Sequence, residues 1–168
     1  MTAPTYVIGV AEVLCGGVLL AATMALHGCG VLVTLRSTAA LKRRAGPAAA
    51  GLAGIGILIA ASWMLVLLHL LEVIVWAVFY VWNNAINAAD ANASIAYYFA
   101  LMEYTTIGSA YNLKFDWRLL EGMNGIAGLL TFAWSTSVLI TLAEDFQRQR
   151  LGGIEPGRAE DPPARAGS

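Results

Sequence analysis

The chain has 168 residues, of which 58% are hydrophobic and only 12% are charged, and its formal net charge is −1. A soluble domain usually carries about 25% charged residues, so the lipid bilayer is the expected solvent. The composition therefore argues against an ordinary soluble domain, and no nucleic-acid partner is expected.

Three apolar stretches are long enough to cross a membrane, namely residues 6–35, 51–82 and 119–143. Crossing a hydrocarbon core of about 30 Å takes roughly 20 apolar residues. The first stretch is too long for a cleavable signal peptide and lacks a basic start. We therefore interpret residues 1–35 as a retained, peripheral N-terminal transmembrane helix.

Positively charged residues mark the cytoplasmic side. They cluster in the connection of residues 36–50 and again after the third apolar stretch: Arg36, Lys42, Arg43, Arg44, Arg148, Arg150, Arg158 and Arg165. By the positive-inside rule, that connection is a cytoplasmic basic loop and the C-terminus is cytoplasmic, whereas the N-terminus lies outside. Residues 144–168 end in a stretch rich in Gly, Pro and charge, which predicts a disordered tail. The expected location is the plasma (cytoplasmic) membrane, as an integral, multi-pass protein.

A short segment between the second and third apolar stretches is the most informative part of the chain. Ser94 is the predicted N-cap of a helix over residues 94–105, which is only half a membrane long. Its C-terminal end would direct negative dipole potential at Thr105 and Thr106. The chain after Thr106 would then run extended with its carbonyls facing a shared axis, because non-helical backbone at membrane depth needs a protein or water lining. The pattern predicts a re-entrant pore loop. The alternative is an interfacial helix without a pore.

Residues 105–111 read Thr-Thr-Ile-Gly-Ser-Ala-Tyr, and Trp117-Arg118 precedes the third apolar stretch. These features resemble the pore domain of tetrameric potassium channels, whose filter reads Thr-Thr-Val/Ile-Gly-Tyr-Gly-Asp. The resemblance covers residues 51–143 and implies an outer helix (51–82), a pore helix (94–105), a filter (105–110) and an inner helix (118–143). The implied fold class is an all-α membrane protein with three transmembrane helices plus a re-entrant pore helix and filter loop, assembled as a homotetramer.

The resemblance also assigns residues to roles. The ion-conducting filter would be Thr105, Thr106, Ile107, Gly108, Ser109 and Ala110, supported by Glu103. The hinge and inner pore lining would be Gly128, Phe132, Thr136 and Ile140. A permeant monovalent cation, K⁺ or Na⁺, would occupy the filter, and no other cofactor is expected. Ser109 replaces the family tyrosine and Ala110 replaces the second glycine, so potassium selectivity should be weakened or altered. A left-handed backbone at Ala110 would cost about 1–2 kcal/mol per subunit.

An ionisable cluster inside the membrane allows other interpretations. His69 and Glu72 lie at i and i+3 on one helix face, and such residues in a membrane are functional candidates. With His27 they would form a metal site or a site that titrates, although simple hydrogen bonding between Glu72 and His69 also accounts for them. The alternative functions are a membrane metal-binding or redox protein, or a non-conducting channel-like scaffold. No catalysis is expected, because the sequence has no nucleotide loop, nucleophile constellation or zinc pattern.

Overall fold

The computed structural model describes residues 6–46 and 51–152 of the chain. Within these ranges the fold is helical, with α1 at Val10–Ala45, α2 at Leu52–Trp82, α3 at Ala93–Tyr104 and α4 at Leu119–Gly152. Helices α1, α2 and α4 are long and apolar enough to cross a membrane. An all-α fold with three helices of membrane-spanning length, as predicted from the sequence, is therefore confirmed.

Two helices extend beyond the bounds that hydropathy alone suggested. Helix α1 continues through the basic residues to Ala45, so most of the predicted loop 36–50 is helical. Arg and Lys are good helix formers, and residues 36–45 contain no Gly or Pro; the helix ends at Gly46, which adopts φ +53° at the C-cap. Residues 47–50 lie outside the described range. Helix α4 likewise continues past residue 143, and the remainder of the predicted tail, 153–168, lies outside the described range as well.

Polar contacts at both ends fix the direction of α1 relative to α4. At one end the backbone N–H of Leu119 donates to Glu12 Oε1 at 3.0 Å. At the other end Lys42 Nζ lies 2.5 Å from Asp145 Oδ2. Helices α1 and α4 therefore run parallel, and α2, which packs against both, runs in the opposite direction.

Helix α3 enters the bundle from one end and stops halfway. It begins beside the C-terminal part of α2, where the rings of Phe99 and Tyr80 meet edge to face at 5.3 Å. Its last residue, Tyr104, reaches His69, which lies 13 residues before the end of α2. Thirteen helical residues correspond to about 20 Å along the axis. The Tyr104 side chain thus reaches the middle level of the long helices.

The chain then returns to the end from which it came. Ile86 and Leu113 form an isolated antiparallel bridge. Beside it, the N–H of Lys114 donates to Ala85 O at 2.8 Å and that of Asn87 donates to Asn112 O at 2.9 Å. These bonds join the segment before α3 to the segment after Gly108, so residues 93–113 form a half-helix followed by a returning strand-like segment.

The N-cap of α3 differs from the sequence-based expectation. Asn92, not Ser94, holds this position, and its Oδ1 accepts hydrogen bonds from the N–H groups of Ser94 and Ile95 at 3.0 Å each. Asn92 has the extended backbone that an N-cap requires, whereas Ser94 already lies inside the helix.

Candidate functional site

The predicted filter begins with a helix cap. Thr106 adopts φ +59°, its N–H donates to Glu103 O at 2.9 Å, and the N–H of Ile107 donates to Met102 O at 3.0 Å. This pair of bonds is the Schellman motif, in which the residue after the helix end takes a left-handed conformation. A filter running straight on from Thr106 was expected; here the chain first reverses at Thr106, because the cap satisfies the last helical carbonyls.

Residues 105–110, called the turn below, are also stabilised by side chains. Glu103 Oε1 accepts a hydrogen bond from the N–H of Ser109 at 3.1 Å, and Ser109 Oγ accepts one from the N–H of Tyr111 at 3.1 Å. Gly108 adopts φ +81°, a conformation that suits glycine. Ala110 does not, since Asn84 and Thr106 are the left-handed non-glycine residues of the described chain. The strain considered for Ala110 is therefore not present in this conformation.

The backbone of the turn is exposed on the side of the bundle. No N–H or hydroxyl group among residues 6–46 and 51–152 donates to a carbonyl oxygen of residues 105–110. Ile107 is 72% exposed, and Thr106, Gly108 and Ala110 are exposed too. A methyl group added at Gly125 would lie 3.4 Å from Thr106 Cγ2. Gly125 is six residues into α4, about 9 Å along its axis, so Thr106 lies below the start of α4.

The predicted inner pore lining divides into two parts. Phe132, Thr136 and Ile140 are exposed on α4, the surface that such a role requires. Gly128 is buried instead. A Cβ at Gly128 would clash with the carbonyl oxygen of Tyr104, and α4 is helical on both sides of it. In this conformation Gly128 lets the backbones of α3 and α4 approach, as small residues do between membrane helices.

The three ionisable residues predicted as a proton or metal site are adjacent and buried. His27 Nδ1 lies 2.8 Å from Glu72 Oε1, and His69 Nδ1 lies 3.3 Å from Glu72 Oε2. The two imidazole rings stack with their centroids 5.4 Å apart. One ligand atom from each of the three residues lies within 4.8 Å of the other two.

Three further side chains, not singled out from the sequence, complete this cluster. The Tyr104 hydroxyl contacts Glu72 Oε2 and lies 3.0 Å from His69 Nδ1 and 2.5 Å from Thr131 Oγ1. Ser135 Oγ lies 3.0 Å from His69 Nε2 and 3.4 Å from His27 Nε2. Thr131 and Ser135 are polar residues at i and i+4 on an apolar helix, a spacing that would have indicated a polar face. The six residues, called the central cluster below, join α1, α2, α3 and α4.

Acidic residues stabilise the end of the bundle at which α1 and α4 begin. Glu12 is 2% exposed and accepts hydrogen bonds from Gly9 N, Leu119 N and the Tyr6 hydroxyl. It satisfies the first N–H groups of two helices at once, a task that helix N-termini require. Glu121 Oε1 accepts a bond from Leu113 N at 2.6 Å. Burial, together with the nearby Glu121 carboxylate, raises the pKa of Glu103 above its ordinary value.

Comparison of the chain with protein-family models, with characterised proteins and with solved structures finds no match. Function must therefore be argued from the geometry of the turn and of the central cluster.

Proposed function

We propose that this protein is a pore-forming subunit of a potassium-channel-like cation channel that carries ions passively across a membrane. The observation that supports it best is the row of carbonyl oxygens at residues 105–110, which starts below the beginning of α4 and has no hydrogen-bond donor from the described chain. In lipid, each unsatisfied backbone group costs several kcal/mol, so such backbone survives only against protein or water.

The electrostatics of the turn favour a cation. The carbonyl oxygens are partial negative charges, and the C-terminal end of α3 adds the negative end of its dipole. Glu103 adds a carboxyl group directly behind Ser109. Residues 45–113 contain no Lys or Arg, so no positive side chain from this segment repels a cation. Anion transport would need donors or positive charges instead.

A single turn cannot surround an ion, so the proposal requires several copies around an axis. Four copies are proposed because of the resemblance to tetrameric potassium channels, and closed rotational symmetry is common among oligomers. Ile107, Phe132, Thr136 and Ile140 are exposed on one chain, and in the assembly they would face the pore. Ser109 and Ala110 depart from the family filter, so we expect both K⁺ and Na⁺ to pass.

The proposal is tested by ion flux from liposomes that contain the purified protein. K⁺ and Na⁺ gradients are measured separately, with a chloride gradient to exclude a leak, and the oligomeric state is measured by native mass spectrometry. Gly108→Ala is the informative variant, because it places a side chain on a left-handed residue whose surroundings are open. Gly56→Ala is the matched control, since its Cβ also meets nothing within 4 Å but lies on α2, away from the turn.

We expect cation flux from a tetramer, changed by Gly108→Ala and unchanged by Gly56→Ala. Absence of K⁺ and Na⁺ flux from a verified tetramer would refute conduction and leave a channel-like scaffold. A monomer in lipid would refute the assembly itself.

A further inference from the structure

The proposed pore does not use the ligand atoms of the central cluster, so conduction does not explain their arrangement. His27 and His69 each direct Nδ1 toward the Glu72 carboxylate and Nε2 toward Ser135 Oγ. His27 and Glu72 are fully buried, and His69 is 8% exposed. Ionisable groups at this depth are expensive for a membrane protein to keep.

A count of protons shows that two neutral histidines beside an ionised Glu72 leave one ring nitrogen without a donor. Ser135 can donate its single proton to only one of the two Nε2 atoms that face it. The other Nε2 must then carry a proton itself, which leaves the Nδ1 of that ring as a bare lone pair. That lone pair faces the Glu72 carboxylate, which has no proton to donate when it is ionised. A proton on Glu72, or a metal ion shared between the ring nitrogen and the carboxylate, would satisfy that lone pair.

We propose that the central cluster binds a divalent transition-metal ion, with His27 Nδ1, His69 Nδ1 and a Glu72 carboxylate oxygen as its ligands. Two imidazoles and a carboxylate form the donor set of zinc sites with an open fourth position and of non-haem Fe²⁺ sites. In this state both rings carry a proton on Nε2, and Ser135 Oγ accepts from both, using its two lone pairs.

The distances suit such an ion after small shifts. Ligand atoms about 2.1 Å from a tetrahedral ion lie about 3.4 Å from one another. One ligand atom from each residue already lies within 4.8 Å of the other two, with His27 Nδ1 2.8 Å from Glu72 Oε1 and His69 Nδ1 3.3 Å from Glu72 Oε2. The surrounding residues are of the kind that orient metal ligands, since Ser135 faces both distal nitrogens and Tyr104 and Thr131 hold the carboxylate side. Phe132 and Trp134 cover the rings, at 4.5 Å from His69 and 5.3 Å from His27.

The test uses the full-length protein in detergent, without an affinity tag that contains histidine, and Zn²⁺ as the probe. Stoichiometry is measured by elemental analysis after dialysis, and affinity by calorimetry against a competing chelator. The variants are His69→Gln and Glu72→Gln for the ligands, and Ser135→Ala for the supporting hydroxyl. Thr23→Val is the matched control, because Thr23 is a buried polar residue one turn before His27 whose hydroxyl contacts Leu19 O and Trp76 Nε1.

We expect one Zn²⁺ per chain, no binding to either ligand variant, and about 10–100-fold weaker binding by Ser135→Ala. Thr23→Val should bind like the wild type. X-ray absorption of the bound zinc should show two imidazole nitrogens at about 2.0–2.1 Å.

Failure of folded wild-type protein to bind Zn²⁺, Fe²⁺ or Mn²⁺ overturns the proposal, and a proton on Glu72 then satisfies the lone pair. Binding that persists in both ligand variants overturns it as well. Both results can be interpreted whether or not the protein conducts ions, because metal binding is measured without ion flux.

Discussion

The contact between Gly128 and the backbone of α3 makes a sharp prediction about stability. A Cβ atom on Gly128 would overlap the Tyr104 carbonyl oxygen, and it would also approach the Tyr104 carbonyl carbon at 2.8 Å and Cδ1 at 3.2 Å. Two of these three atoms belong to the backbone, so the clash cannot be relieved by a rotation of a side chain. In Gly128→Ala, α3 must therefore move away from α4.

The size of the effect follows from what that movement breaks. Overpacking a well-packed interior costs about 1–3 kcal/mol, and a rigid backbone neighbour places this case at the upper end. Movement of α3 also loosens the hydrogen bond between Asn124 Nδ2 and Ala100 O, now 3.0 Å, and the contact of the Tyr104 hydroxyl with Glu72. Each such bond contributes about 1 kcal/mol, and one to a charged group about 1.5–3 kcal/mol. We expect Gly128→Ala to lose at least about 3 kcal/mol of unfolding free energy.

Gly122→Ala provides the matched control on the same helix. A Cβ at Gly122 meets nothing within 4 Å, so the substitution should be neutral or should stabilise α4 by about 0.5–1 kcal/mol. Both variants are compared with the wild type by denaturant unfolding in mixed micelles, followed by tryptophan fluorescence and circular dichroism. Equal stability of Gly128→Ala and Gly122→Ala would show that α3 does not pack on α4 at this point, and the depth assigned to the turn would be wrong.

Three further predictions concern individual polar groups. Glu12→Ala should cost about 2–3 kcal/mol of unfolding free energy, because the first N–H of α4 at Leu119 loses a charged acceptor; calorimetric unfolding in detergent measures it, and a change below about 0.5 kcal/mol would contradict the cap. Glu103 has a raised pKa, so its contribution to stability is fully present below its ordinary value of 4.5 and is lost as pH rises through the folded-state pKa. Glu103→Gln should therefore flatten the fall in midpoint temperature over that range, and an unchanged pH profile would argue against the burial of this carboxyl group. Tyr104→Phe removes a donor from the buried Glu72 carboxylate and should cost about 1.5–3 kcal/mol, measured by the same unfolding assay, whereas a neutral result would mean that another donor replaces the hydroxyl.

The long helices were predictable because their signal is local. Length and hydropathy suffice to place α2, whose observed bounds Leu52–Trp82 differ by one residue from the prediction. The ends of α1 and α4 were not predictable in this way, because hydropathy falls at the first charged residues while helix propensity does not. Contacts such as that of Lys42 with Asp145 extend both helices beyond the apolar stretches.

The candidate sites were less predictable from the sequence, because they depend on contacts between distant parts of the chain. The three ionisable members of the central cluster were recognisable because charged residues are rare in apolar helices. Ser135 and Thr131 gave only the weaker signal of their i and i+4 spacing, since a hydroxyl in an apolar helix usually bonds to its own backbone, as Thr136 does with Phe132 O. Likewise the string Thr-Thr-Ile-Gly indicated a resemblance to a channel filter. It did not predict the left-handed backbone at Thr106, because that conformation depends on how the end of α3 is capped.

Tyr104 connects the two candidate sites through opposite ends of the same residue. Its hydroxyl lies among Glu72, His69 and Thr131, while its carbonyl oxygen rests against Gly128 and the turn begins at the next residue. The central cluster can gain or lose a metal ion or a proton. Because the Tyr104 hydroxyl lies in the cluster, such a change must either move the Tyr104 ring or be opposed by its packing. Because the α3 backbone is already in close contact with α4, little movement is available without displacing the carbonyls of residues 105–110. If the turn conducts ions, Glu72→Gln should alter cation flux although Glu72 lies far from the turn in sequence. If the flux is unaffected while Zn²⁺ binding is lost, the cluster and the turn act independently.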